Sequence, residues 1–177
     1  WLGPEGIFPG HLMLPRVPEY IPFGTNDIDC VVNTNVIGAL ALYSEENAKG
    51  YKNACDFVNS KIRKNQHKRC GVYYPNEFNF YYTAMRAHAS GAICIEESLP
   101  KIIEVTLENQ NKDGSWDTAN KDHIQSTAYA LGALMKLPRK SAAVNKSIDK
   151  GVEYLLSVKI DEAKNPYSYW DGGVFFS

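Results

Sequence analysis

The sequence predicts an all-α protein built from three helix hairpins, and three observations carry that reading. Apolar residues recur at the three- and four-residue spacing of a buried helical stripe, while the one strand-like run, Val72-Tyr73-Tyr74, is too short to form a sheet. The helix-length segments are joined by short connections. A Gly-x-aromatic triplet also recurs four times along the chain, at Gly6-Ile7-Phe8, Gly71-Val72-Tyr73, Gly114-Ser115-Trp116 and Gly173-Val174-Phe175.

In chain order, residues 1–26 are rich in Gly and Pro and read as an irregular arm. The helical domain occupies 27–177. Its first helix spans 29–43, where Val32, Val36, Ile37, Ala39, Leu40 and Tyr43 follow a helical period. A more polar helix follows at 47–64, with Ala54, Phe57, Val58 and Ile62 on one face, and a third at 77–92. Residues 98–110 form a fourth, with Ser98 as the expected N-cap and Pro100 in the first turn, where proline is tolerated. Residues 122–136 and 141–158 complete the set. The first helix of each pair is rich in small and apolar residues and the second carries more charge, as expected of an inner layer wrapped by an outer one.

Composition narrows the function. A chain of 177 residues with 44% hydrophobic and 22% charged residues fits one globular domain. A net charge of −1 gives no electrostatic reason to expect nucleic acid or an anionic membrane as partner. No apolar run approaches the roughly 20 residues of a membrane span. The chain starts at Trp1, so the reading expects a processed start or a piece of something longer. Cys30, Cys55, Cys70 and Cys94 form no CxxC pair, and a core of this size needs no staples. The expectation is free thiols and a reducing, cytoplasmic compartment.

The stretch Gln110-Asn111-Lys112-Asp113-Gly114-Ser115-Trp116 has a structural explanation. Gln110 can bond backbone groups left open at a helix end. Gly114 permits a sharp bend, and Trp116 covers the turn with a large apolar surface. The segment is expected to clip one helix pair to the next.

This stretch resembles the QW motif of the terpenoid cyclase and protein prenyltransferase superfamily, and His123-Ile124-Gln125-Ser126-Thr127-Ala128 resembles the start of an inner helix in those proteins. Gln66 with Gly71-Val72-Tyr73, and Lys159 with Gly173-Val174-Phe175, read as degenerate copies. The resemblance implies an (α/α) toroid, here a partial one of about three hairpins, because a closed ring of this type uses about six. It implies in turn self-association or a missing half of the toroid.

Asp27-Ile28-Asp29-Cys30 is similar to the acidic motifs of triterpene cyclases, Asp-x-Asp-Asp-Thr-Ala in bacterial and Asp-Cys-Thr-Ala-Glu in eukaryotic members. The chain departs from them at Cys30, Val31-Val32 and Asn33. The resemblance implies acid-initiated cyclisation of a polyprenyl or triterpene substrate. Asp29 would be the acid, and Asp27 and His123 would set its proton. Cys30, Asn33, Phe80, Tyr81, Tyr82 and Tyr129 would line the substrate, the aromatic faces stabilising carbocations. Parallel inner helices would gather Glu77, Asn79, Asp122 and Gln125 on the same face, with His88 toward the opposite one. On this reading Asp29→Asn abolishes turnover and changes stability by under about 1 kcal/mol.

Three other readings use the same residues. In one, Asp27 and Asp29 are helix caps alone, as aspartate commonly is. In another, the domain is a non-catalytic toroid that binds an isoprenoid, a glycan or a protein partner. Asp29, Cys30 and His123 also offer zinc-ligand types, as in prenyltransferases, but adjacent helical residues diverge by about 100°. The reading therefore expects no metal and no cofactor.

Overall fold

The computed structural model describes residues 28–71, 73 and 74, 76–118 and 123–158. The N-terminal arm, Asp27, Val72, Asp122, Lys159 and the first and last Gly-x-aromatic triplets lie outside the described residues.

The described residues form six α-helices and no strand: α1 (Cys30–Leu42), α2 (Tyr51–Arg63), α3 (Glu77–Ala89), α4 (Leu99–Glu108), α5 (His123–Met135) and α6 (Ala142–Ser157). Asp29 in extended backbone caps α1, accepting the Val32 N–H at 2.9 Å. Asn76 caps α3 through the Phe78 N–H, and Ser141 caps α6 through the Val144 N–H. Two boundaries differ from the sequence reading because of glycine. Gly50 and Gly91 take left-handed backbone at φ 92° and 106°, so α2 starts later and α3 stops earlier than expected. Ser98 precedes α4 as expected but makes no capping bond; its hydroxyl donates to Asn59 Oδ1 at 2.6 Å.

The inner helices run parallel. Thr34 of α1 meets Thr83 of α3 at 2.8 Å, and one turn later a Cβ added at Gly38 would lie 2.9 Å from Ala87 Cα. The two contacts keep the same sequence offset, which only parallel helices can do. In the same sense Asn76 at the start of α3 bonds Ser126 of α5, and Tyr82 lies against Gly132 further along. α3 thus packs between α1 and α5, with α2 against α1, α6 against α5 and α4 against α3.

The Trp116 clip takes the form expected of it. The indole is fully buried, its Nε1–H donates to the Thr106 carbonyl at 2.7 Å, and its backbone N–H donates to Thr127 Oγ1 at 2.9 Å. Gln110 Nε2 donates to the carbonyls of Gly114 and Ser147 at 3.0 and 2.8 Å. Gly114 has φ 93°, and any side chain there would collide with the Lys150 carbonyl. One turn therefore ties α4, α5 and α6 together.

The degenerate copy joins the first two repeats by other means. Gln66 is exposed, and its recorded side-chain bond is a 3.4 Å contact from Lys61. Tyr73 is buried like Trp116, but its N–H donates to Asp29 Oδ2 at 3.0 Å. The expectation of free thiols is corrected here: Cys30 pairs with Cys70 and Cys55 with Cys94, at Cα separations of 5.3 and 6.0 Å, and no cysteine is free. One disulfide staples α1 to the turn before α3. The other staples α2 to the 3₁₀ segment Ile93–Ser98 before α4. Where the tryptophan is missing, covalent bonds and a buried carboxylate hold the repeats together.

Candidate functional site

The residues expected to form an acidic site at the inner-helix starts are packed into the fold. Asp29 is fully buried, one oxygen accepting from Val32 N and the other from Tyr73 N. Cys30 is a half-cystine and presents no thiol to a proton, a substrate or a metal. Asn33 is buried and donates to the Asp29 carbonyl at 2.8 Å. His123 lies 3.6 Å from Asp117 in a half-exposed pair and makes no ion pair with Asp29. Among the described residues no group of three His, Cys, Asp or Glu side chains could hold a metal ion.

The aromatics divide in two. Phe80 and Tyr81 are core residues, and the Tyr81 hydroxyl donates to Glu77 Oε2 at 3.2 Å. Burial pushes the Tyr81 hydroxyl far above its ordinary value, with the Glu77 charge adding to the effect, and burial likewise raises Glu77. Tyr82 and Tyr129 are only half-buried, and their rings meet at 6.0 Å between α3 and α5. Gln125 is buried and reaches the Tyr129 hydroxyl at 3.5 Å.

Each inner helix nevertheless leaves one stripe open at the i, i+4, i+7 spacing of a single face. On α1 the stripe is Asn35, Ala39 and Leu42; on α3 it is Tyr82, Arg86 and Ala89; on α5 it is Ala128, Gly132 and Met135. Exposure grows toward the C-terminal ends, reaching 63% at Leu42 and 59% at Met135. Between α1 and α3 this face forms a groove of about 240 Å³ lined by Asn35, Gly38, Ala39, Leu42, Arg86 and Ser90 among others. The accessible surface thus lies along the middle and far halves of the inner helices, away from the sealed acidic start. Arg86 is its one charge among the described residues, bonded to Asn35 Oδ1, with Cζ 5.6 Å from the Tyr82 ring centroid. The sequence reading missed Arg86. The parallel register of α1 and α3, which brings position 86 beside position 35, was its available signal.

A second cluster sits behind α3. His67 is buried against the Tyr81 ring at 5.7 Å, and its Nδ1 has no partner. Burial holds the imidazole below its ordinary 6.5, and the charges of Lys68 and Lys101 push the same way, against a bond to the Ile62 backbone. The unfolded chain therefore binds this proton more readily, so folding stability falls as pH drops through about 6.5. Glu77, raised by burial, works in the opposite sense near and above its ordinary 4.5. The urea midpoint should fall between pH 7.5 and 5.5, and fall less in His67→Phe. An equal fall in both proteins would assign the pH dependence elsewhere.

No protein-family profile matches this chain, and no curated protein or solved structure is significantly similar to it.

Proposed function

We propose that this chain is a non-catalytic α/α-toroid-type scaffold that binds a small isoprenoid-like molecule on the open face of its inner helices. One observation carries the reading: Asp29, the carboxylate that the resemblance would make the cyclase acid, spends both oxygens on backbone amides, while the helix face beyond it is open and mostly apolar. Protonating an alkene needs an acid with a free O–H aimed at substrate in a dry cavity. The groove is also smaller than the roughly 300–1,000 Å³ of a drug-sized site, which favours a short chain over a triterpene.

The test is incubation of the protein with squalene, oxidosqualene and geranylgeranyl diphosphate, with products read by gas chromatography. The expected result is no cyclised product. A cyclised product that disappears in Asp29→Asn would replace this reading with acid-initiated cyclisation.

Two disulfides support an oxidising compartment over the cytoplasm. Among the described residues no helix is long and apolar enough to cross a membrane. On α6, Val152 and Leu156 are 39% and 79% exposed, which supports packing of a further helix pair or a second copy on this edge. Sedimentation showing a compact monomer at high concentration, with no dye-binding apolar surface, would contradict that packing.

A further inference from the structure

We infer that the groove between α1 and α3 selects ligands with an acidic head, a carboxylate or phosphate, on a short apolar tail, and that Arg86 is the residue that binds the head. The inference rests on the proposed binding role of the inner-helix face and adds the chemistry of the ligand to it.

Arg86 is exposed and forms no ion pair with any described residue. It is the single charge in the three open stripes, whose other members are small, apolar, aromatic or amide side chains. A guanidinium has five N–H donors in a planar fork that matches an oxyanion. Asn35 Oδ1 takes up part of that capacity and leaves the rest to face the groove.

The cation is also held in place before any ligand arrives. Its Cζ lies over the Tyr82 ring, which is in turn fixed by Tyr129 and by Gly132, where even a Cβ would come within 2.8 Å of the ring. Holding a long side chain in one geometry in advance removes much of the ordering cost of binding. Ser90, one turn further along the chain, adds a hydroxyl to the same wall, and Ala39 and Leu42 supply the apolar opposite wall. A neutral apolar ligand would leave the Arg86 donors desolvated and unmatched. A free inorganic anion would leave Leu42 and Ala39 uncovered.

The experiment measures binding of four probes to the whole chain by calorimetry, with backbone amide shifts to locate each: geranic acid, geranyl phosphate, geraniol and inorganic phosphate. The expected result is that at least one of the tailed anions binds at least about tenfold tighter than geraniol, with shifts at Ala39, Leu42 and Ser90. Arg86→Gln should remove that preference, and Arg86→Lys should restore only part of it because an ammonium lacks the fork. Ala39→Phe, which fills the groove from an exposed position, should weaken both tailed anions and geraniol. Whichever of the two tailed anions binds tighter identifies the head as carboxylate or phosphate. Equal binding of geraniol and the tailed anions would overturn the acidic head and leave the apolar-ligand reading standing. Binding of inorganic phosphate as tight as that of geranyl phosphate would overturn the role of the tail. Failure of all three geranyl compounds to bind would overturn both this inference and the reading on which it rests.

Discussion

Replacing Trp116 with alanine is expected to destabilise the protein by about 3–5 kcal/mol, the range for deleting a fully buried large aromatic. The side chain is 0% exposed and touches three helices. A Cβ built on Gly151 of α6 would lie 2.7 Å from the ring, so the helix has approached as closely as a glycine allows. Leu131 of α5 packs at the same point, and the indole N–H reaches back to Thr106 of α4. Alanine leaves a cavity at the junction of the second and third hairpins. Trp116→Phe keeps most of the apolar volume and loses the Nε1 bond, so it should cost less, by an amount set mainly by that bond, about 1 kcal/mol. Urea unfolding of the three proteins checks both values. A loss below about 1 kcal/mol for Trp116→Ala would mean that the clip does not join the hairpins.

Removing either disulfide should cost about 4 kcal/mol on the chain-entropy estimate for loops of this length. The bridges span 40 and 39 residues and overlap in sequence, so together they restrict the unfolded chain from α1 through α3. Cys55→Ala with Cys94→Ala removes the outer staple, and Cys30→Ala with Cys70→Ala the inner one. Thiol titration in denaturant should find no free thiol before reduction and four afterwards, one for each cysteine of the chain. Titratable thiols in the unreduced, denatured protein would overturn the pairing. Unchanged thermal unfolding after full reduction would show that the bridges do not stabilise the fold.

The helices were legible where one face is buried and the other is polar, as on α2, whose expected Ala54, Val58 and Ile62 are all buried. On α1, apolar nearly all round, the buried face was misread: Ile37 is buried as expected, but Val31 and Ala41 share the core with it, while Ala39 and Tyr43 of the expected stripe are exposed. Gln110, Gly114 and Trp116 were legible because a glutamine, a glycine and a tryptophan at that spacing serve few purposes beyond closing a turn. The disulfides were not legible in the absence of a CxxC pair, in a chain long enough to need no staples. Their signal was the near-equal 40 and 39 residue spacing, which takes each bridge from a helix to the connection before the next helix but one. The acidic stretch was ambiguous for a different reason. A helix start suits both a capping aspartate and a catalytic one, and only the position of the Tyr73 N–H shows where the second oxygen is committed. Arg86 and Asn35 stand 51 residues apart, and nothing local in either segment announces the other.

The central claim is that Asp29 belongs to the joint between the first two hairpins, and unfolding of Asp29→Asn tests it most directly. Aspartate offers two acceptor oxygens, and the fold uses one for Val32 N–H and one for Tyr73 N–H. Asparagine offers one oxygen and turns an NH₂ donor toward the other buried amide, so it can cap α1 or hold the turn, but not both. The sequence-based expectation of under about 1 kcal/mol assumed a cap alone. The geometry raises the expected loss to about 1–3 kcal/mol, the cost of stranding a buried donor. A measured loss in that range in urea would support the joint. A loss below about 0.5 kcal/mol would contradict it, because the second oxygen would then be free for some other use.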